Sequence, residues 1–173
     1  MLSMRIPLSP STALLCAGVV LIFSSAHSAE DNLRIVRKAA FPGAPQVAIA
    51  AEGDLEPRSN GSYSLRIYAG TNPRFPYDEF VAGIVRVRDG TVEAVRFWDL
   101  DHDGAPDIIV VMRSAGTGGY LSADAFQLQS NALTLMASVS GLARDADPIR
   151  ALQTKLTNRA EPPTTPDAGK PCR

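Results

Sequence analysis

The stretch Ile108-Ile109-Val110-Val111-Met112 is an unbroken run of apolar residues, and it decides the class of fold. A strand with one face in solvent alternates apolar and polar residues, whereas a short continuous apolar run is typical of a strand that is covered on both faces. The run therefore predicts a central strand in a layered β structure.

Strand-like segments continue on both sides of this central run. Many of them alternate, and in one of them Tyr63, Leu65 and Ile67 share a face. The segments are Val47–Ala51, Tyr63–Tyr68, Phe80–Arg88 and Thr91–Trp98 before the run, and Ala125–Leu128 and Leu133–Val139 after it. About seven or eight short strands with short connections predict an all-β fold, either an antiparallel β-sandwich or a flattened barrel.

Dipeptides with strong turn preferences lie between these segments. Asp89-Gly90 separates two alternating segments, which indicates a two-residue hairpin with a type I′ turn. Ser130-Asn131 joins the last two segments, and Asn60-Gly61 is a further turn signal.

One short helix is predicted near the C-terminal end of the folded part. Asp147 is a suitable N-cap and Pro148 a suitable first residue. Ile149, Leu152 and Leu156 then fall on one helical face.

Residues 1–29 have the pattern of a secretion signal peptide. Arg5 supplies the positive charge, Ala13–Phe23 is an apolar run too short to span a bilayer, and small residues follow it. We expect cleavage to release an exported protein that is not held by a membrane. The mature chain then divides into a β domain over residues 30–158 and a disordered proline-rich tail over residues 159–173.

The net charge argues against nucleic-acid binding, and the cysteine content argues against an internal disulfide. The formal net charge is −1, which is too small to indicate nucleic-acid binding. Cys16 lies in the predicted signal peptide, so Cys172 stays alone in the mature chain and no internal disulfide can form.

A run of alternating carboxylates precedes the central strand. It is the segment Asp99-Leu100-Asp101-His102-Asp103-Gly104-Ala105-Pro106-Asp107. Such spacing resembles calcium-binding loops, although the twelfth position from Asp99 is Val110, where an EF-hand needs a bidentate Glu. The alternative is a polar turn in which the Asp side chains cap their own backbone. Both a calcium site at Asp99–Asp107 and a capped turn stay open, and we expect no cofactor to be required.

The same carboxylates do not form a convincing catalytic site. A glycosidase needs two carboxylates that face each other across a groove, and carboxylates on one turn do not have that geometry. His102 is the one histidine certain to remain after cleavage, so motifs with two histidine ligands are excluded. A hydrolase is the weakest interpretation, and we expect the protein not to be an enzyme.

A glycine-rich segment, Ser114-Ala115-Gly116-Thr117-Gly118-Gly119-Tyr120-Leu121-Ser122-Ala123-Asp124, follows the central strand. Its residues suit either a loose hairpin whose Tyr120 packs on its own sheet, or a binding loop that enters another molecule's cleft. Arg113 precedes it and either orients it or extends into solvent. A second candidate contact loop is Ser59–Tyr63, whose alternative is a turn followed by a core tyrosine.

Three stretches of the chain together resemble one known family. They are Ala51–Arg66, Arg88–Gly104 and Ser114–Asp124, within a resemblance that covers roughly Val47 to Leu128. The family is that of the periplasmic inhibitors of invertebrate-type (i-type) lysozyme.

This resemblance implies a periplasmic all-β homodimer that inhibits lysozyme by inserting a loop into the active-site cleft. The family's loop pattern is Ser-Gly-x-Tyr, and Thr117-Gly118-Gly119-Tyr120 takes its place here, with threonine for serine. By position, Ser114, Thr117, Gly118, Gly119 and Tyr120 are the implied partner-binding residues. Thr117 and Tyr120 would reach the catalytic carboxylates of the lysozyme and block its hydrolysis of peptidoglycan.

Overall fold

The computed structural model describes residues 34–160 of the chain. This part contains eight β-strands and one α-helix, so the predicted all-β fold with one short C-terminal helix is confirmed. The elements are β1 Val36–Ala40, β2 Val47–Glu52, β3 Asn60–Tyr68, β4 Phe80–Asp89, β5 Thr91–Trp98, β6 Asp107–Arg113, β7 Leu121–Gln129, β8 Ala132–Leu142 and α1 Pro148–Ala160. The signal peptide predicted over residues 1–29 lies outside the described residues.

The strands form two antiparallel sheets of four strands each. Within each sheet the strands follow chain order, β1-β2-β3-β4 in the first sheet and β5-β6-β7-β8 in the second. Because β1 and β2 contact β5, and β4 contacts β6 and β8, the sheets lie face to face. Over residues 34–160 the sheets stay separate, so the architecture is the sandwich and not the flattened barrel.

The main core fills the space between the two sheets. Tyr63, Leu65 and Ile67 of β3 all face this space and are fully buried, as their alternation predicts. Ile108 and Val110 face them from β6 in the opposite sheet. Each large aliphatic side chain buried in this way contributes about 1.5–3 kcal/mol.

The other face of β6 is covered by the helix. Ile109 and Val111 belong to a second core that includes Leu152 of α1. The helix begins as predicted, because Asp147 Oδ1 accepts a hydrogen bond from the N–H of Ile149 at 3.0 Å. Burial on both faces explains why the β6 sequence is continuously apolar.

The helix continues through Ala160, so Arg159, the first residue of the predicted proline-rich tail, is helical. The rest of that tail, residues 161–173, lies outside the described part. Within residues 34–160 no helix has the length and apolar character needed to cross a membrane.

The prediction of a hairpin at Asp89-Gly90 is wrong. Asp89 pairs with Asn60 in the first sheet, whereas Thr91 pairs with Arg113 in the second. Gly90 is therefore the point at which the chain changes sheets. The Gly90 N–H donates to the Ser59 carbonyl at 2.7 Å, which ties this point to the segment that leads into β3. A local turn signal predicts a change of direction, but it does not tell which neighbours the next strand will pair with.

Three further sequence assignments change, and one is confirmed. Asn60-Gly61 is the paired beginning of β3 and not a turn. β1 was not predicted, because this short edge strand is mostly exposed and carries charged residues. β7 begins at Leu121, before the predicted start at Ala125. The turn at Ser130-Asn131 is confirmed, with φ of +50° and +60° as a type I′ turn requires.

Replacing Gly90 by alanine should destabilise the fold more than replacing Gly104. The two glycines have nearly the same φ, +86° and +87°, so the backbone strain of an added Cβ is alike. A Cβ at position 90 would lie 1.9 Å from the Arg113 carbonyl oxygen, whereas one at position 104 would meet nothing within 4 Å. We expect urea denaturation to give a loss of about 1 kcal/mol for Gly104→Ala and at least about 3 kcal/mol for Gly90→Ala. Equal losses would contradict the role of Gly90 as the close contact between the sheets.

Candidate functional site

The segment Ser114–Tyr120, here called the glycine-rich loop, connects β6 to β7 at one end of the sandwich. The Ser114 N–H donates to the Tyr120 carbonyl at 2.9 Å and closes the base of the loop. The Gly119 N–H donates to the Gly116 carbonyl at 3.1 Å, which makes a tight turn. Thr117 and Gly118 lie at the centre of this turn and are exposed. The loop is therefore a narrow tip held by two backbone hydrogen bonds.

Tyr120 lies at the end of the loop and is exposed to solvent. Its side chain is 55% exposed. A Cβ added at Gly118 would lie 2.4 Å from the Tyr120 ring, so the ring rests against the backbone of the turn. The absence of a side chain at Gly118 permits this position. All five residues that the sequence singled out, Ser114, Thr117, Gly118, Gly119 and Tyr120, lie in this one loop.

Arg113 lies at the base of the glycine-rich loop. Its Nε and Nη2 donate to the two carboxylate oxygens of Glu93 at 2.5 and 3.0 Å. Its Nη1 donates to the carbonyl oxygens of Gly119 at 2.9 Å and Arg144 at 3.3 Å. The hydrogen bonds from Arg113 hold the pKa of Glu93 below its ordinary value, and Glu93 in turn raises the pKa of Arg113.

A group of charges, buried at Arg88 and Glu52 and partly exposed at Glu56, lies behind the loop base. We call Glu52, Glu56 and Arg88 the Arg88 network. The Arg88 guanidinium is 1% exposed and lies 3.8 Å from Glu52 Oε2 and 3.7 Å from Glu56 Oε2. It also donates to the carbonyl oxygens of Pro57, Arg58, Ser62 and Gly90. Glu52 Oε1 accepts the N–H of Val92 at 2.6 Å, so the network joins the end of the first sheet to the start of the second.

Tyr63 belongs to the core and does not form a second contact loop. Its side chain is fully buried, and its hydroxyl donates to Asp124 Oδ2 at 2.7 Å. Arg86 Nε approaches the same oxygen at 3.4 Å. Burial, followed by the charge of Asp124, raises the pKa of Tyr63 well above its ordinary value. No local sequence signal connects Tyr63 with Asp124, because 61 residues separate them.

The segment Asp99–Asp107, here called the acidic turn, connects β5 to β6. Backbone N–H groups donate to its carboxylates, as expected of a capped turn, and His102 and Gly104 have positive φ. The contacts are Gly104 N–H to Asp99 at 3.1 Å, Asp103 N–H to Asp101 at 3.3 Å, Ala105 N–H to Asp103 at 2.8 Å and Leu100 N–H to Asp107 at 2.9 Å. The carboxylates therefore organise their own backbone.

Three carboxylates of the acidic turn also converge on one point. Asp99, Asp101 and Asp107 each offer an oxygen, and these oxygens lie within 4.8 Å of one another. Asp99 Oδ1 is buried and has no hydrogen-bond partner among the described residues. Burial raises the pKa of Asp107 to about 6, and the neighbouring aspartates add to the shift. The turn lies at the Asp107 end of β6 and the glycine-rich loop at the Arg113 end, roughly 20 Å away along the strand.

Fold and site together define a two-sheet β-sandwich protein with an exposed glycine-rich loop at one end. The model of one family, described as periplasmic lysozyme inhibitor of I-type lysozyme (PliI), matches residues 34–156. The chain belongs to this family, and the resemblance inferred from the sequence is confirmed. It is a family of inhibitor proteins of the periplasm.

Two solved structures are similar to this chain. The crystal structure of PliI-Ah, the periplasmic lysozyme inhibitor of I-type lysozyme from Aeromonas hydrophila, is 44% identical with a TM-score of 0.62. The similarity covers 68% of this chain and 98% of that one. The crystal structure of Aeromonas hydrophila PliI in complex with Meretrix lusoria lysozyme is also 44% identical, with a TM-score of 0.63, and covers 69% and 95% of the two chains. No curated protein sequence matches the chain significantly.

Replacing Asp107 by asparagine should change how stability depends on pH. Because the pKa of Asp107 is about 6 in the folded state and 3.8 ordinarily, the folded protein holds this proton more tightly between those values. Its contribution to stability is therefore present below about pH 4 and is lost as the pH rises through 6, by about 2–3 kcal/mol. Asparagine keeps an acceptor for the Leu100 N–H but carries no charge.

We expect Asp107→Asn to match the wild type near pH 4 and to exceed it by about 2 kcal/mol at pH 7.5. The measurement is urea denaturation across this pH range with a chelator present. Asp145→Asn, at an exposed position of the β8–α1 connection, is the matched control and should change little. An unchanged pH dependence in Asp107→Asn would contradict the raised pKa.

Proposed function

We propose that this protein is exported to the periplasm through its N-terminal signal and inhibits invertebrate-type lysozyme by inserting the tip of the glycine-rich loop into the active-site cleft. Membership of the inhibitor family over residues 34–156 supports the inhibition. A relative 44% identical to this chain has been crystallised in complex with a lysozyme, which supports a direct protein–protein contact. Inhibition would protect peptidoglycan stoichiometrically.

The single observation that carries the loop mechanism is the exposed tip that presents Thr117 and Tyr120. A retaining glycosidase has two carboxyl groups about 5 Å apart in its cleft, and one of them acts as the nucleophile. A threonine or tyrosine hydroxyl can donate to an ionised carboxylate, and such charge-assisted hydrogen bonds are stronger than neutral ones. Occupying both carboxylates would block both steps of hydrolysis.

The other three loop residues have supporting parts in this proposal. Ser114 closes the loop base through its backbone, Gly119 adopts a positive φ of +56°, and Gly118 leaves space for the Tyr120 ring. Threonine at position 117 keeps the hydroxyl of the family's serine and adds one methyl group. This methyl must fit beside the catalytic carboxylates, so it affects the closeness of fit more than the mode of binding.

The proposal includes a homodimer, as the resemblance to the family implies. Val85 and Val87 lie on β4, the edge strand of the first sheet, with 68% and 78% of their side chains exposed. Exposed valines at a sheet edge favour association with a second chain. Sedimentation equilibrium of the mature protein tests this part separately, and a monomer at micromolar concentration would remove it.

Replacing the two tip side chains should weaken inhibition. We expect Tyr120→Ala and Thr117→Ala each to cost about 1–2 kcal/mol of binding, a rise of roughly five- to thirtyfold in the inhibition constant, because each removes a side chain at the centre of the contact. The measurement is lysis of bacterial cell walls by an invertebrate-type lysozyme with increasing amounts of the purified mature protein.

The matched control is Tyr77→Ala. Tyr77 is also a partly exposed tyrosine, but it packs edge-on against Tyr68 at the other end of β3 from the glycine-rich loop. It should leave the inhibition constant unchanged. Full inhibition by the Thr117/Tyr120 double variant would rule out the insertion mechanism, and absence of inhibition by the wild type would rule out the function.

Calcium binding at the acidic turn is a second candidate function. The convergence of Asp99, Asp101 and Asp107 and the buried, unpartnered Asp99 Oδ1 favour a cation there. A hard oxygen-binding cation would offset the repulsion among these carboxylates.

We expect a bound calcium ion to release heat in calorimetric titration and to raise the melting temperature at millimolar calcium. Asp101→Asn should abolish both effects. A flat titration and an unchanged melting temperature would mean that the turn is stabilised by its backbone hydrogen bonds alone.

A further inference from the structure

We propose that Arg113 is a positioning residue, whose guanidinium fixes the glycine-rich loop in the conformation that enters the lysozyme cleft. This inference rests on the proposed function and deepens it. Arg113 lies at the end of β6, immediately before the loop, and contacts three separate parts of the chain. It does not reach the partner in this proposal; it acts through the loop backbone.

The four hydrogen bonds of Arg113 divide into an anchor and a clamp. The anchor is Glu93 on β5, which accepts two parallel hydrogen bonds from Nε and Nη2. The clamp is Nη1, which donates to the carbonyls of Gly119 in the loop and Arg144 between β8 and α1. Because the guanidinium is planar and rigid, the bidentate anchor sets the direction of Nη1.

Irregularities in β5 and β8 bring the partners of Arg113 into place. In β5, Val92 pairs with Met112 and Ala94 with Val111, so Glu93 is an extra residue at a β-bulge. Bulges commonly re-aim a side chain, and here Arg37 Nε holds the Glu93 carbonyl at 2.9 Å.

On the opposite side of the loop, the register between β7 and β8 shifts as well. Leu121 pairs with Leu142 and Ala123 with Val139, so β8 carries one extra residue in an interval that contains Gly141, with φ of +67°. The chain then continues into the β8–α1 connection, whose Arg144 offers its carbonyl to the clamp. Glycine at position 141 permits this left-handed conformation without strain.

The clamp restricts a loop that would otherwise have a large conformational entropy. Three of its seven residues are glycines, which lose more backbone freedom on ordering than other residues. A loop that is already ordered binds more tightly, because binding then does not include the entropy loss of ordering it. By contrast, Arg113 and Glu93 are 36% and 40% exposed, and exposed ion pairs contribute little to global stability. Loss of Arg113 should therefore affect inhibition and loop order without affecting the fold.

The test uses three variants. They are Arg113→Gln, Arg113→Lys and a double variant in which the pair is exchanged, Glu93→Arg together with Arg113→Glu. Each is measured for lysozyme inhibition, amide hydrogen exchange of Gly116–Tyr120 in the free protein, and melting temperature. The exchanged pair can restore the ion pair, but a carboxylate at position 113 cannot donate to the carbonyls. Arg159→Gln is the matched control, because it removes another exposed guanidinium–carbonyl contact, to Met136.

We expect Arg113→Gln to raise the inhibition constant at least about tenfold and to speed exchange in the loop, with little change in melting temperature. Arg113→Lys should recover part of the loss, the exchanged pair none of it, and Arg159→Gln should behave as the wild type. Rescue by the exchanged pair, or wild-type exchange and inhibition in Arg113→Gln, would overturn the proposal.

Two further outcomes remain informative. If the wild type does not inhibit lysozyme, the proposed function fails, but loop exchange in the free protein still tests the clamp. If Arg113→Gln does not fold, Glu93→Gln removes only the charge of the anchor and is tested in its place. Unchanged loop exchange and inhibition in that variant would count against the clamp.

Discussion

Burial of β6 on both faces is the constraint on which the rest of the structure depends. One face of β6 is covered by the first sheet and the other by α1. Removing either would expose apolar side chains of β6 to water. A strand that is apolar along its length must place its polar groups at its ends. Asp107 begins the strand and is the last residue of the acidic turn. Arg113 ends the strand and directly precedes the glycine-rich loop. The acidic turn and the glycine-rich loop therefore lie at opposite ends of β6 for the same reason.

Charged groups surround the point at which the chain changes from one sheet to the other. Removing the Arg88 guanidinium from water costs several kcal/mol, which is offset only by a full set of partners. Glu52, Glu56 and four backbone carbonyls provide them. These partners come from the end of β2, the β2–β3 connection, β3 and Gly90 itself, so the network ties the end of β4 to the start of β3 at the point where the chain changes sheets. It also supports the backbone next to the loop base, because Gly90 touches Arg113 and Ser114.

Periodicity and local chemistry were enough to predict much of this fold. The apolar run of β6, the alternation of β3 and the N-cap at Asp147 each depend on neighbours in sequence. The sheet change at Gly90 could not be predicted, because the contacts around it, such as those from Arg88 to Pro57, Arg58 and Ser62, join residues that are distant in sequence. In the loop, the sequence singled out Tyr120 and Thr117 but not Glu93, whose direction depends on a β-bulge. Bulges have no reliable sequence signal, so the residues that hold the loop were less predictable than the loop itself.

An inhibitor of this kind need not share the electrostatic marks of a catalytic site. Strongly shifted pKa values often identify catalytic residues, because catalysis requires groups tuned near neutral pH. Here the carboxyl with a pKa near 6 is Asp107, at the end of the sandwich remote from the glycine-rich loop. A loop that fills a cleft needs instead a defined shape, exposed hydroxyl donors and little residual freedom. For this protein, exposure and backbone order therefore point to the loop of the proposed mechanism, whereas a search for shifted pKa values would select the acidic turn.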